Sequence, residues 1–275
     1  MMRYVKKRIR VTLLLAAVSL LSCLSGGLAM DRSELGDVIK VIPSNGPFWK
    51  YGTLFMRSRT KTAGMAPVVF AHWSHRARYT CRVCHLDLGF SMREGYTGIT
   101  RAQYTAGKYC GACHNEVTAF GVQGGEPSQC ARCHMKDTRA LEVSFDNFAS
   151  TLPTSGFGNG IDWAVALKKG SISPKNTLSD AAPPMPLPEK LRLPMKLGTP
   201  APRSDVTFSH VDHFSELDCS SCHPDIFNIK KKGTVDFSMD RNIFCGYCGV
   251  CHMRVAFPMN DCKRCHPGMS SFTGF

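Results

Sequence analysis

Six times this chain places two cysteines three apart with a histidine directly after the second. The sets are Cys81, Cys84 and His85; Cys110, Cys113 and His114; Cys130, Cys133 and His134; Cys219, Cys222 and His223; Cys248, Cys251 and His252; and Cys262, Cys265 and His266. Cys-x-x-Cys-His is the attachment signature of c-type haem. Both sulfurs reach one porphyrin as thioethers, and the adjacent imidazole sits under the iron as its proximal ligand. With 10 His among 275 residues, chance does not put His after six Cys pairs. A zinc reading needs the Cys pairs and leaves the His unexplained. A disulfide framework explains neither the spacing nor the His. The cofactor expected is therefore six covalently bound haem c groups with their iron, and no further catalytic constellation is evident.

The other four histidines, His72, His75, His210 and His213, stand in two copies of Phe-x-His-x-x-His, beginning at Phe70 and Phe208. They are expected to be distal iron ligands. Residues three apart on a helical turn share one face, so one short segment can reach two neighbouring irons. Of the 14 Cys, only Cys23 and Cys245 are left outside the motifs. Cys245 forms a Cys-x-x-Cys with Cys248, but Gly249 follows where a haem site needs His. It reads as a free thiol beside a haem, with a disulfide or regulatory role as the alternative.

The elements that must position these residues occur twice. Phe70, His72, His75, the Cys81 motif and the Cys110 motif recur 138 residues later as Phe208, His210, His213, the Cys219 motif and the Cys248 motif. The third motif follows in each copy, after a shorter loop in the second. Such constant spacing marks a repeated structural unit. The organisation expected is a lead-in over 30–66, a first module over 67–135, a linker over 136–204 with a short helical stretch and a Pro-rich run, and a second module with its tail over 205–275. In the linker, Asp162 is placed to cap a short helix, and Trp163 and Leu167, four apart, are expected to pack against a haem block.

The N-terminus has the layout of a secretory signal: basic residues up to Arg10, an apolar run over Val11–Leu24, then small residues. Cleavage after Ala29 gives a signal over 1–29. Leu20-Leu21-Ser22-Cys23 resembles a lipobox, which gives a signal over 1–22 and a lipid anchor on Cys23. Both readings stay open, as does an uncleaved anchor. The net charge of +13 includes the five basic residues of that signal, with no acid among them, so +8 remains. Pairing of Lys and Arg with haem propionates accounts for this excess. No nucleic-acid motif is present, and no nucleic-acid partner is expected.

With its Phe-x-His-x-x-His segment followed by three Cys-x-x-Cys-His motifs, each block resembles the triheme class III c-type cytochromes, the c-seven type of metal- and sulfur-reducing bacteria, especially its tandem members. The resemblance covers 67–135 and 205–269. It implies that His72 pairs with His85, His75 with His114, His210 with His223 and His213 with His252. It also implies a third distal His four residues before the second motif. Ala106 and Phe244 stand there, and no spare His exists. For the third and sixth irons three outcomes stay open: ligation by Met92 or Met239, a ligand from a partner, or an open site.

The fold class expected is mostly irregular with short α-helices, in two triheme multihaem cytochrome c modules with haem-dominated cores. About 65 residues from Phe70 to His134 cannot build an ordinary apolar core around three haems. The function expected is electron transfer along a haem chain in the periplasm or at the outer membrane, in anaerobic respiration. The alternative is a multihaem reductase, or its subunit, using an open third or sixth iron. The partners expected are redox proteins, including an outer-membrane conduit or a membrane quinol-oxidising complex.

Overall fold

The chain alternates short helical turns with long loops, and its few strands pair only as two-stranded ribbons. The computed structural model describes residues 46–93, 95–122, 127–178, 185–197, 205–228 and 238–269, all within one unit spanning 39–275. The segment expected to be an export signal, Cys23 and the end of the tail lie outside the described residues. Among those residues no helix is long and apolar enough to cross a membrane.

In the first half, β1 (Thr53–Met56) pairs antiparallel with β2 (Val68–Ala71), and α1 (Ser58–Thr62) joins them. Strand residues alternate faces. Val69 and Ala71 are therefore buried together, while Phe70 turns the other way, onto His72 and His75. Directly after β2 comes α2 (His72–Arg76). The far edge of β2 meets the third motif, with Val69 N–H donating to Cys133 O at 2.9 Å. Helix α3 (Arg101–Thr105) precedes the second motif, and α4 (Pro127–Ala131) runs into the third, carrying its Cys130.

The middle segment folds. It holds α5 (Arg139–Ala149) and α6 (Trp163–Lys168). Leu141, Phe145 and Phe148 recur along one face of α5 at helical spacing, and they join a cluster of Trp49, Ala71, Trp73, Leu152, Ile161, Trp163 and Ala166. Trp73 lies 5.4 Å from Phe145 and 5.3 Å from Phe148, ring centre to ring centre. The Asp162 carboxylate caps α6 by accepting from Val165 N–H at 3.1 Å. Trp163 packs in this apolar cluster, and Arg76 rather than a Cys/His motif lies over its ring.

The lead-in also contributes: Trp49 enters the cluster and β1 completes the ribbon under Phe70. Its lack of periodicity in the sequence has a simple cause. A buried Trp on a single 3-10 turn and a strand of four residues are too short to show a period.

The second half repeats the plan with less apolar support. Strands β3 (Met195–Leu197) and β4 (Val206–Phe208) pair antiparallel, then α7 (His210–Phe214) and α8 (Cys219–Cys222) follow. After them come α9 (Met239–Ile243), α10 (Gly249–His252) and α11 (Cys262–Cys265). Met92 lies in a loop after the first motif, and Met239 opens α9. Ile243 and Pro258 are the buried apolar side chains of this half among the described residues.

Phe145 is 2% exposed at the centre of the one apolar cluster described. Truncation to Ala leaves a cavity and is expected to cost about 3–5 kcal/mol. Chemical denaturation of the purified protein should show the Phe145→Ala midpoint well below the wild type. Val143→Ala, on the exposed face of the same helix, should stay within about 0.5 kcal/mol.

Candidate metal-ligating histidines and their anchors

Each motif is one helical turn. The His N–H donates to the carbonyl of the first Cys at 2.9 Å in Cys110–His114, 2.8 Å in Cys130–His134, 2.9 Å in Cys219–His223, 3.0 Å in Cys248–His252 and 2.8 Å in Cys262–His266. This turn brings both sulfurs and the imidazole to one face. In both second motifs the residue after the first Cys must be Gly. A Cβ on Gly111 would meet Tyr104 O, and one on Gly249 would meet Asn242 O, at 2.0 and 1.7 Å. The end of α3 or α9 crosses the turn at that point.

The imidazoles are aimed by their Nδ1 atoms. Among those that follow motifs, His85 bonds Phe90 O at 3.0 Å, His114 bonds Phe120 O at 2.9 Å, and His134 bonds Ala66 O at 2.9 Å. His223 bonds Phe227 O and His252 bonds Phe257 O, each at 2.8 Å. Among the remaining four, His72 bonds Gly52 O at 3.0 Å, His75 bonds Ala71 O at 2.9 Å and His213 bonds Ser209 O at 2.8 Å. Because a carbonyl accepts, Nδ1 carries the proton in each and Nε2 keeps a free lone pair. Metal-binding histidines are held in this way.

His75 and His114 face each other with ring centres 6.2 Å apart, and His213 and His252 do so at 6.1 Å. Two metal–nitrogen bonds of about 2 Å each, plus the two ring radii, give roughly 6 Å. One metal ion therefore fits between each pair. The Phe of each copy fixes the distal rings. Phe70 stands edge-on to His72 at 4.7 Å and tilted against His75 at 4.4 Å; Phe208 does the same to His210 at 4.9 Å and His213 at 4.5 Å.

The copies differ at one ring. His72 is anchored on Gly52, a residue at φ +83° that carries its carbonyl under the ring. Leu54 pairs with Phe70 and Met195 with Phe208, so Leu193 holds the place of Gly52. Leu193 is exposed, and the buried Nδ1 of His210 meets no partner among the described residues.

Burial pushes the His72 ring down to about 4; the Gly52 bond opposes this, while the charges of His85, His75 and Arg76 add to it. Burial likewise takes His252 to about 4, opposed by its bond to Phe257. Burial also lowers His75, His85 and His210. It raises the thiols of Cys81 and Cys251 to about 12. A thiolate is disfavoured there, whereas a thioether sulfur carries no charge and is not. Among the described residues, no group of three or more His, Cys, Asp or Glu is arranged to hold a metal ion alone. The donor set fits a cofactor held by two sulfurs that needs only axial nitrogen from the protein.

Residues outside the motifs also belong to this site: Tyr51, Gly52, Arg76 and Glu216. Tyr51 Oη donates to Ala256 O at 2.6 Å, and Arg76 Nη2 lies 3.3 Å from Glu216 Oε2. Nothing in the sequence marked them: the partners of Tyr51, Arg76 and Glu216 are 140 or more residues away, and that of Gly52 is 20 away across a strand ribbon.

Residues 68–135 and 206–267 match the family model for cytochrome c7 and related cytochrome c. Two solved structures are similar. A C-terminal hexaheme fragment of GSU1996 is 24% identical, with 78% of this chain and 96% of that chain covered and a TM-score of 0.25. The dodecaheme cytochrome c GSU1996 is 23% identical, with 78% and 73% covered and a TM-score of 0.25. No curated protein sequence matches.

A ring with a lowered value is neutral above that value. Its contribution to stability is complete above the unfolded value near 6.5 and is lost progressively as pH falls from there to about 4. The visible spectrum of the haem-loaded protein is accordingly expected to be unchanged from about pH 8 to about pH 5. Conversion of these sites to high-spin within that range would contradict the burial argument.

Proposed function

We propose, for a chain whose two Cys/His blocks belong to the cytochrome c7 and related cytochrome c family, that it carries six covalent haems, three in each block, and passes electrons along them. The family makes it a multihaem c-type cytochrome. The observation that carries the finer reading is the repeated pair of facing imidazoles, 6.2 Å apart in one block and 6.1 Å in the other, each beside a Cys pair.

In this reading the twelve motif cysteines hold the porphyrins. His85, His114, His134, His223, His252 and His266 are proximal ligands, and His72, His75, His210 and His213 are distal. The bound iron supplies the redox change, cycling between ferric and ferrous states. The protein's part is positional. Its Nδ1 hydrogen bonds fix which nitrogen faces the metal and how each ring is turned, and the buried setting keeps those nitrogens unprotonated. Axial ligand identity then sets the potential.

The basic and apolar N-terminal layout supports export, with function in the periplasm or at the outer membrane, anchored through Cys23 if that residue is lipidated. Its partners would be one-electron donors and acceptors, in anaerobic respiration. A second reading rests on the count of imidazoles: with ten His, the irons above His134 and His266 have no second His. Ligation there by Met92 or Met239, a partner's ligand or an open iron follows, and an open iron would permit reductase chemistry.

Intact mass and haem quantitation are expected to give six haems per chain. Zinc without haem would sink the reading. Ferric electron paramagnetic resonance should then show at least four low-spin irons. If the remaining two are also low-spin and carbon monoxide changes nothing, the chain is a carrier alone. If two irons per chain are high-spin and bind carbon monoxide, turnover with small oxidised substrates tests the reductase reading.

A further inference from the structure

The two blocks touch where the segment carrying His72 meets the turn that follows His252. Gly52, under His72, separates two structures: a Cβ placed on it would lie 3.9 Å from His72 Cβ, 3.9 Å from Arg254 O and 4.0 Å from Val255 Cα. His72 and the turn that follows His252 are thus one glycine apart. Next to Gly52, Tyr51 Oη donates to Ala256 O and lies 3.4 Å from His252 O.

Arg76, one turn after His72, fills the same junction. Its guanidinium contacts Glu216 at 3.3 and 3.5 Å and Val255 O at 3.5 Å, and lies over the Trp163 ring at 4.3 Å. Glu216 Oε2 in turn lies 3.5 Å from Cys81 Sγ, and its carbonyl accepts from Arg82 N–H at 2.9 Å. Arg82 Nε and Asp218 Oδ2 add a second pair at 3.4 Å. The Arg76 and Glu216 side chains are only 14% and 17% exposed. The third motif of the first block, by contrast, is bonded to Ala66 and Val69 of its own block.

We propose that electrons cross between the blocks at this junction, from the site of His72 and His85 to that of His213 and His252, and that the Arg76–Glu216 pair positions and electrically balances the two sites. The proposal rests on the haem reading above. A transferred electron oxidises one iron and reduces the other, with no bond made or broken. Arg76 reaches both sites: it stands one turn after His72, and its guanidinium lies 3.5 Å from Val255 O, three residues past His252. A nearby cation favours the reduced, more electron-rich iron and raises its potential. The Glu216 carboxylate does the opposite.

The test is a spectroelectrochemical titration of the holoprotein and of Arg76→Gln, Glu216→Gln and the double variant. The two irons are identified by the low-spin signals lost in His72→Met and in His213→Met. Arg76→Gln should lower both potentials, with a change of about tenfold in the ferric-to-ferrous ratio at fixed potential. Glu216→Gln should raise them by a similar factor, and the double variant should return towards wild type. Should Arg76→Gln fail to fold, Arg76→Lys, which keeps the charge, should leave the potentials near wild type beside a shifted Glu216→Gln. Unmoved potentials, shifts of the same sign in both single variants, or shifts confined to other irons would overturn the proposal. Haem counts on the same samples separate the two failures: a wild type without six haems overturns the haem reading, and six haems with unmoved potentials overturn this proposal alone.

Discussion

The hydrogen bond from an imidazole Nδ1 to a backbone carbonyl is the constraint from which the rest of this structure follows. It is seen at His72, His75, His85, His114, His134, His213, His223 and His252. Each bond spends one nitrogen on the protein so that the other is presented unprotonated to a metal. The carbonyls come from elements that must be in place first: Gly52 before β1, Ala71 at the end of β2, Ser209 before α7, and the loops that close each motif. The short strands and turns are therefore a scaffold for aiming rings.

A chain with so much of its interior given to ligand turns has little apolar matter to spend. What it has is concentrated in one place. Trp49, Trp73, Phe145, Phe148 and Trp163 gather where the lead-in, the first block and the middle segment meet. The second half leans on this cluster through polar ties. Asp162, which caps α6, also pairs with Arg264 of the last motif at 2.6 Å, and Arg76 bridges Trp163 to Glu216. Paired charges suit such a seam, since a buried guanidinium or carboxylate is tolerated only with its partner.

The duplication kept the geometry of the Phe and His rings and let the surroundings drift. The Phe-to-His and His-to-His separations agree between copies within 0.2 Å. The anchor of the first distal ring does not: Gly52 serves His72, while exposed Leu193 stands at the matching place before β3 and leaves His210 Nδ1 without a described partner. A distal imidazole without its anchor is a less basic ligand. The two blocks are thus repeats in fold with different surroundings at this ring.

The sequence by itself determined the Cys/His motifs, their number and the repeat. Each is local: Cys, Cys and His share one helical turn, and His72 with His75, or His210 with His213, share another, so residue type and spacing already state which groups face one way. The cap at Asp162 was legible for the same reason. The tertiary structure alone decided that the lead-in and middle segment form an apolar core and that Arg76 meets Glu216. Those contacts join residues far apart along the chain. No local period or spacing encodes them, because the free energy that selects them comes from burying side chains of separate segments against one another.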